Sequence, residues 1–158
     1  IAPRWMPEFE KKTYPQNSDE HNSSSVSIED PEKIKTMSDK RMRKLETLKK
    51  GLPKPVLLGN PNSNTILVGN GSVKNPILDA ISLGKDIAYL HYEYIYPTDT
   101  EILLTIANQG KRIILIENNQ TGDFGKVLTE ASGYQFKEKM LKYDGRPFFL
   151  DDILNIQI

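Results

Sequence analysis

Two stretches decide the fold: Thr65-Ile66-Leu67-Val68-Gly69-Asn70-Gly71-Ser72 and Arg112-Ile113-Ile114-Leu115-Ile116-Glu117-Asn118-Asn119. Each is a continuous apolar run that ends in small polar residues. Strands covered on both faces read this way, because neither face has to be polar, and functional loops collect at their carboxyl ends. Helical patterns follow both runs. The first has Asn75 as a cap, Pro76 at the first helical position, and Ile77, Leu78, Ala80 and Ile81 inside. The second passes through Gly122 to Phe124, Val127, Leu128 and Ala131 and stops at Gly133.

Working outward, Val56-Leu57-Leu58 reads as a short edge strand and Ile87–Tyr92 as another strand. Thr98-Asp99-Thr100-Glu101 has the spacing of a capping box for a helix through Ile102, Leu103 and Ile106, closed by Gly110. Tyr134–Leu141 sets Phe136, Glu138 and Met140 against Lys137 and Lys139, as an edge-side strand would. Tyr143–Pro147 is a turn, and Phe148–Ile158 is a short helix or packed tail. The alternation predicts an α/β fold, a three-layer α/β/α sandwich on a mostly parallel sheet.

Three zones result. Residues 1–29 carry Pro3, Pro7, Pro15 and Ser23-Ser24-Ser25, with few spaced apolar residues, and read as an extended linker or strap. Trp5 and Met6 there suit anchoring on another surface or covering the domain's own core. Residues 30–53 read as a connecting helix. Asp30 caps it, Pro31 opens it, Gly51 and Pro53 stop it, and Ile34, Met37, Leu45 and Leu48 form a stripe. Its opposite face is basic (Lys40, Arg41, Arg43, Lys44, Lys49, Lys50) and reads as a solvated face rather than a phosphate-binding one. Residues 54–158 form the compact α/β domain. The chain begins at Ile1 rather than Met, and we expect it to be a piece of a longer polypeptide.

Composition excludes several classes of function. With no cysteine, the chain offers no thiolate to an iron–sulfur cluster. Its two histidines, His21 and His91, lie far apart and lack metal-site spacing. Lys plus Arg equals Asp plus Glu at 21 each, so no broad field favours nucleic acid. No run approaches the ~20 apolar residues of a membrane span, and a cytoplasmic setting is expected.

The candidate site is the strand-end rim. Gly69-Asn70-Gly71-Ser72 could let a phosphate approach closely, or it could be a tight turn presented to a neighbouring domain. It lacks the third glycine of a dinucleotide fingerprint. Glu117-Asn118-Asn119 puts a carboxylate at the end of a buried strand, where it could tune a ligand or cap local backbone. Asp144 and Arg146 can pair across their turn, or Arg146 can reach outward. A small-anion or nucleotide-binding regulatory module is therefore one reading.

In one order, the chain contains Asp19-Glu20-His21, Glu29-Asp30-Pro31-Glu32, Lys40-Arg41-Met42-Arg43-Lys44-Leu45, the Gly69–Ser72 loop, Glu117-Asn118-Asn119 with Gly122, and Tyr143-Asp144-Gly145-Arg146-Pro147-Phe148. This ordered set resembles the C-terminal part of the alpha subunit of 2-oxoacid:ferredoxin oxidoreductases. The resemblance implies a transketolase C-terminal-like domain: a five-stranded, mostly parallel sheet with one antiparallel edge strand, either Val56–Leu58 or Phe136–Leu141. It implies an enzyme that decarboxylates a 2-oxoacid on thiamine diphosphate with Mg2+, passes electrons through iron–sulfur clusters to ferredoxin and releases an acyl-CoA. The cofactors would sit in other domains or subunits, and none in this chain. Its implied partners are the upstream domains of its own subunit and a beta subunit. Departures from the family pattern fall at Asn70, Val73 and Gly122-Asp123, so a ligand role for the rim does not follow from the resemblance. The equivalent domain of another thiamine-dependent enzyme is the remaining rival. No catalytic, cofactor-binding or metal-binding residue is assigned. Gly69, Asn70, Gly71, Ser72, Glu117, Asn118, Asn119, Tyr143, Asp144 and Arg146 are the expected interface rim.

Overall fold

A computed structural model describes residues 19–22 and 25–158, so most of the expected strap, with Trp5, Met6, Ser23 and Ser24, lies outside the described residues. The elements run α1 (Pro31–Gly51), β1 (Val56–Gly59), β2 (Thr65–Asn70), α2 (Lys74–Ser82), β3 (Ala88–Tyr92), α3 (Glu101–Asn108), β4 (Arg112–Glu117), α4 (Asp123–Ser132), β5 (Glu138–Leu141) and α5 (Leu150–Leu154). The chain divides into two compact units, Ile1–Thr47 and Leu48–Ile158, with the division inside α1.

In the first unit, Asp30 caps α1 as the sequence predicts, its Oδ1 accepting the Lys33 N–H at 2.9 Å. Glu20 pairs with Arg41 at 2.6 Å, so one residue of the Asp19-Glu20-His21 stretch ties back onto this helix. No residue of α1 is fully buried. Its predicted stripe is half-covered at Ile34, Met37 and Leu45 and exposed at Leu48.

The second unit holds a five-stranded sheet in the order β1-β3-β2-β4-β5. β1 runs antiparallel to β3, and every other pair is parallel. Of the two candidate exceptions, the antiparallel strand is therefore the one at Val56. β2, β3 and β4 alternate their side chains between two cores. On one face Ile66, Val68, Leu90 and Leu115 meet Leu103 and Ile106 of α3 and Phe124 and Leu128 of α4. On the other, Leu67, Tyr89, Ile114 and Ile116 meet Ile77 and Ala80 of α2 and Ile153 of α5. This period of two explains why both faces of the central strands carry apolar side chains.

Local readings differ from the structure in three places. The helix after β2 does not start at an Asn75 cap. A 3-10 turn over Gly71–Val73 leads straight into α2, and Pro76 sits within its first turn, where a missing N–H costs nothing. The capping box before α3 does not form. The Thr98 hydroxyl donates to the Ile95 carbonyl, Asp99 Oδ1 accepts the Glu101 N–H at 3.0 Å, and the Glu101 carboxylate binds Lys54 at 2.6 Å. The strand predicted over Tyr134–Leu141 is only Glu138–Leu141, because Tyr134 and Phe136 turn into the core as an edge-to-face pair 5.1 Å apart.

Gly69 shows how tightly β2 and β4 pack. A Cβ there would stand 2.8 Å from the Ile116 carbonyl oxygen and 2.9 Å from Val73 Cγ2. Backbone cannot give way as a side chain can, so Gly69→Ala is expected to lower the unfolding free energy by roughly 1–3 kcal/mol in urea denaturation, the usual cost of overpacking.

Candidate functional site

The chain leaves β2 for β3 on one side of the sheet, then crosses back over β2 to lay down β4 on the other. The point where strand order reverses therefore lies between the carboxyl ends of β2 and β4. Helices diverge there to opposite faces and leave a crevice, the usual ligand or contact position of open α/β sheets. A groove occupies this point, lined by Asn70, Gly71, Ser72, Val73, Glu117, Asn118 and Asn119. It continues past Ser72 and Asn118 to Tyr143, Gly145, Arg146 and Pro147. Three loops far apart in sequence thus share one rim.

Glu117 lines this groove from below. It is 3% exposed. Its residue parity puts it on the α4 side, and there its carboxylate receives three hydrogen bonds. Oε2 accepts the Phe124 N–H at 3.0 Å and the Asn119 Nδ2 amide at 2.6 Å, and Oε1 accepts the Gly125 N–H at 2.7 Å. Both backbone donors are in the first turn of α4, where N–H groups have no partner within the helix and the dipole favours an anion. The Glu117 carbonyl also accepts the Lys142 N–H at 3.0 Å, which joins β4 to the stretch before the Tyr143 turn. Glu117 therefore belongs to the floor of the groove. Its carboxylate is consumed internally because a charge at this depth needs several donors.

Asn119 is partly internal too. Its Oδ1 accepts the Gly122 N–H at 2.6 Å and the Thr121 N–H at 3.1 Å, folding the loop so that Gly122, at φ 63°, can start α4. Asn118 lines the groove and, among the described residues, makes only long hydrogen-bond contacts. Ser72 Oγ donates to its Oδ1 at 3.4 Å, and its Nδ2 donates to the Arg146 carbonyl at 3.4 Å. Such distances lie beyond the usual hydrogen-bond range, so these groups remain available to an incoming partner. Asp144 and Arg146 meet across their turn, Nε to Oδ2 at 3.4 Å, with the Asp144 carboxylate also accepting the Arg146 N–H at 3.1 Å. The Arg146 side chain is still 72% exposed. Tyr143 stands 64% exposed beside it. Gly69 is buried for packing and Gly71 takes φ 63° in the turn, so both glycines of the loop have structural roles.

Sequence reasoning did not find the donors that hold Glu117. The signal was Gly125, a glycine inside a helix, which is otherwise unfavourable. A Cβ there would lie 2.3 Å from Leu115 Cδ2 and 3.4 Å from Glu117 Oε1.

His91 belongs to the scaffold near this rim. It pairs with Gly69 in register and its Nδ1 lies 3.1 Å from the Tyr89 hydroxyl. Burial, then the Lys74 charge, depresses its pKa against a smaller opposing pull from Glu93. Among the described residues no three of His, Cys, Asp and Glu come together to hold a metal ion. With no cysteine in its sequence, the chain offers no thiolate to an iron–sulfur cluster. No helix among the described residues is long and apolar enough to cross a membrane.

Comparison with known proteins gives a consistent picture. No protein-family model matches the chain. It is 30% identical over 145 residues to 2-oxoacid:ferredoxin oxidoreductase 1, subunit alpha, of Aeropyrum pernix, a match covering 86% of this chain and 23% of that protein. It is 29% identical over 142 residues to the alpha subunit of the Saccharolobus solfataricus enzyme, covering 85% of this chain and 22% of the relative. The chain thus spans under a quarter of the length of these relatives. A 2-oxoglutarate:ferredoxin oxidoreductase from Magnetococcus marinus, solved with 2-oxoglutarate, coenzyme A and succinyl-CoA bound, superposes with a TM-score of 0.77 at 17% identity. That match covers 98% of this chain and 28% of the other, and establishes the fold.

Two outcomes are expected. Glu117→Ala should destabilise the chain by about 2–4 kcal/mol in urea unfolding, because two buried backbone donors lose a charged acceptor, while Asn118→Ala stays within about 0.5 kcal/mol. Because the folded-state pKa of His91 is depressed, its stabilising contribution is full above the unfolded value of about 6.5 and is lost as pH falls below it. His91→Gln should flatten that part of the stability–pH profile.

Proposed function

We propose that this chain, a homologue of the alpha subunits of 2-oxoacid:ferredoxin oxidoreductases and a part of such a subunit, is a docking and site-organising domain rather than a source of catalytic groups. The assembly would oxidatively decarboxylate a 2-oxoacid to an acyl-CoA and pass the electrons to ferredoxin. Thiamine diphosphate, Mg2+ and iron–sulfur clusters would be held by other domains or subunits, in a cytoplasmic setting. The observation that carries this reading is the ordered similarity to named alpha subunits over 86% of the chain. The geometry supports it, because the groove between β2 and β4 is built on a rigid, internally satisfied base and presents Asn118, Tyr143 and Arg146 outward.

In this reading the strand-end loops meet the upstream domains of the same subunit and a beta subunit. Holding a contact surface to within a fraction of an ångström contributes to catalysis without touching substrate, since small misplacements of reacting groups are costly. The Glu117–Phe124–Gly125 bonds and the Lys142–Asp152 pair at 2.6 Å fix the loops on which Asn118 and Tyr143 stand.

The test is co-purification of the complete alpha subunit with its beta subunit, comparing wild type with Tyr143→Ala plus Arg146→Ala. Turnover is followed with a 2-oxoacid, CoA and a viologen acceptor. Both side chains are exposed, so the variant should melt like wild type yet lose roughly tenfold or more in subunit affinity, as interface Tyr and Arg anchors do. Unchanged assembly and turnover would refute the docking role. Intact assembly with lost turnover would instead place these residues at the reaction site.

A further inference from the structure

The turn between β5 and α5 carries the only Asp-Gly pair in the sequence, Asp144-Gly145, set between the outward side chains of Tyr143 and Arg146. An aspartyl residue followed by glycine is open to attack on its own side chain. The next backbone nitrogen can close on Cγ to form a succinimide ring, and glycine has no Cβ to screen that nitrogen. Every other aspartate in the chain is followed by a residue with a side chain.

The fold leaves this pair open. Gly145 sits at φ 80°, and a Cβ built there would meet nothing within 4 Å. Its N–H has no hydrogen-bond partner among the described residues. The Asp144 carboxyl lies close to that nitrogen. Its Oδ1 accepts the Arg146 N–H at 3.1 Å, which folds the side chain over the Gly145 peptide in the manner of an Asx turn. Arg146 Nε approaches Oδ2 only to 3.4 Å, so no tight ion pair draws the carboxyl away.

The sequence offers one rival, Asn70-Gly71, whose side-chain amide can be attacked in the same way. There the structure opposes ring closure. Asn70 is half-buried and ends β2, paired in register with Tyr92. Its backbone is extended, at φ −141° and ψ 164°, and the sheet holds it so. The peptide to Gly71 turns toward the side chain only when this last rung opens.

We propose that Asp144 is a site of spontaneous aspartyl isomerisation, with water as its only reagent. The Gly145 nitrogen bonds to Cγ of the protonated carboxyl, whose hydroxyl leaves with the amide proton as water. Water then opens the succinimide at either ring carbonyl. Cleavage at Cγ restores the aspartate. Cleavage at the Asp144 main-chain carbonyl leaves the chain running through Cγ, an isoaspartyl link with a free α-carboxylate. Nothing is oxidised or reduced and the mass is unchanged, but the main chain gains a methylene between Tyr143 and Arg146. One consequence rests on the docking reading above, while the chemistry does not: the link shifts two side chains of the contact rim relative to each other, so the rim loses its match to a partner as the protein ages.

The test is warm storage of the 158-residue chain at neutral pH, both folded and in urea. The tryptic peptide Tyr143–Ile158 is then mapped by fragmentation that separates isoaspartyl from aspartyl links, with protein isoaspartate methyltransferase as an independent readout. Isoaspartate should accumulate at Asp144 in the folded chain at a rate within about tenfold of the unfolded one, while folding should slow Asn70 deamidation by more than that. Gly145→Ala should slow the Asp144 reaction by about tenfold or more. Absence of the link in the folded chain when the unfolded chain forms it would overturn the proposal. So would equal rates at the other aspartates, or deamidation of Asn70 in the folded chain at its unfolded rate. Complete alpha subunit carrying the link should lose affinity for the beta subunit. If the link forms and affinity is unchanged, the docking role of Tyr143 and Arg146 falls and the isomerisation stands.

Discussion

The buried carboxylate of Glu117 is the interaction on which the rest of this domain's functional edge depends. It follows the apolar run Ile113–Ile116 and would be costly there alone. Backbone N–H groups of Phe124 and Gly125 and the Asn119 amide meet it at 2.6–3.0 Å. One side chain thereby satisfies the start of α4, sets the path of the loop between β4 and α4, and anchors the sheet's carboxyl edge. Gly125 is the counterpart of this arrangement, because a side chain there would collide with Leu115 and crowd the carboxylate.

That rigid base makes the groove above it selective in what it leaves free. Glu117 and much of Asn119 are spent on the backbone, Gly69 on strand packing, and Gly71 on a turn at positive φ. What remains outward is Asn118 with two 3.4 Å contacts, exposed Tyr143, and Arg146, whose partner Asp144 holds it loosely. This is the composition of a contact surface: an aromatic, an arginine and an amide on a base that does not have to rearrange. The same sheet edge carries a separate cavity at the end of β3, so the two ends of the domain's rim differ in chemistry. One is open and suited to protein contact, and the other is small and bears both signs of charge.

The strands were readable because the central three are buried on both faces, which writes runs of Ile, Leu and Val into β2 and β4 and a largely apolar, aromatic run into β3. Helix ends were less readable. Thr98 and Glu101 have capping-box spacing, yet Lys54 and the Ile95 carbonyl compete for them and win. Pro76 reads as a helix start, but Gly71 and Ser72 wind a 3-10 turn ahead of it. Tyr134 and Phe136 alternate like a strand, and the core takes them as an aromatic pair before the strand begins. Of the rim, Asn118, Tyr143 and Arg146 were visible as polar residues after strands or in a turn. Glu117 was visible as unusual, but its direction was not.

By itself the sequence determined the α/β class, the identity of the core strands, the Asp30-capped helix and the ordered motifs on which the resemblance to the oxidoreductase alpha subunits rests. Each of these is a local matter of periodicity, turn chemistry or residue order. The tertiary structure decided which edge strand runs antiparallel, that the strand order reverses between β2 and β4, and that Glu117 turns inward. These depend on partners contributed by segments distant along the chain. No local pattern encodes the donors that a buried charge or hydroxyl will meet once the sheet has closed.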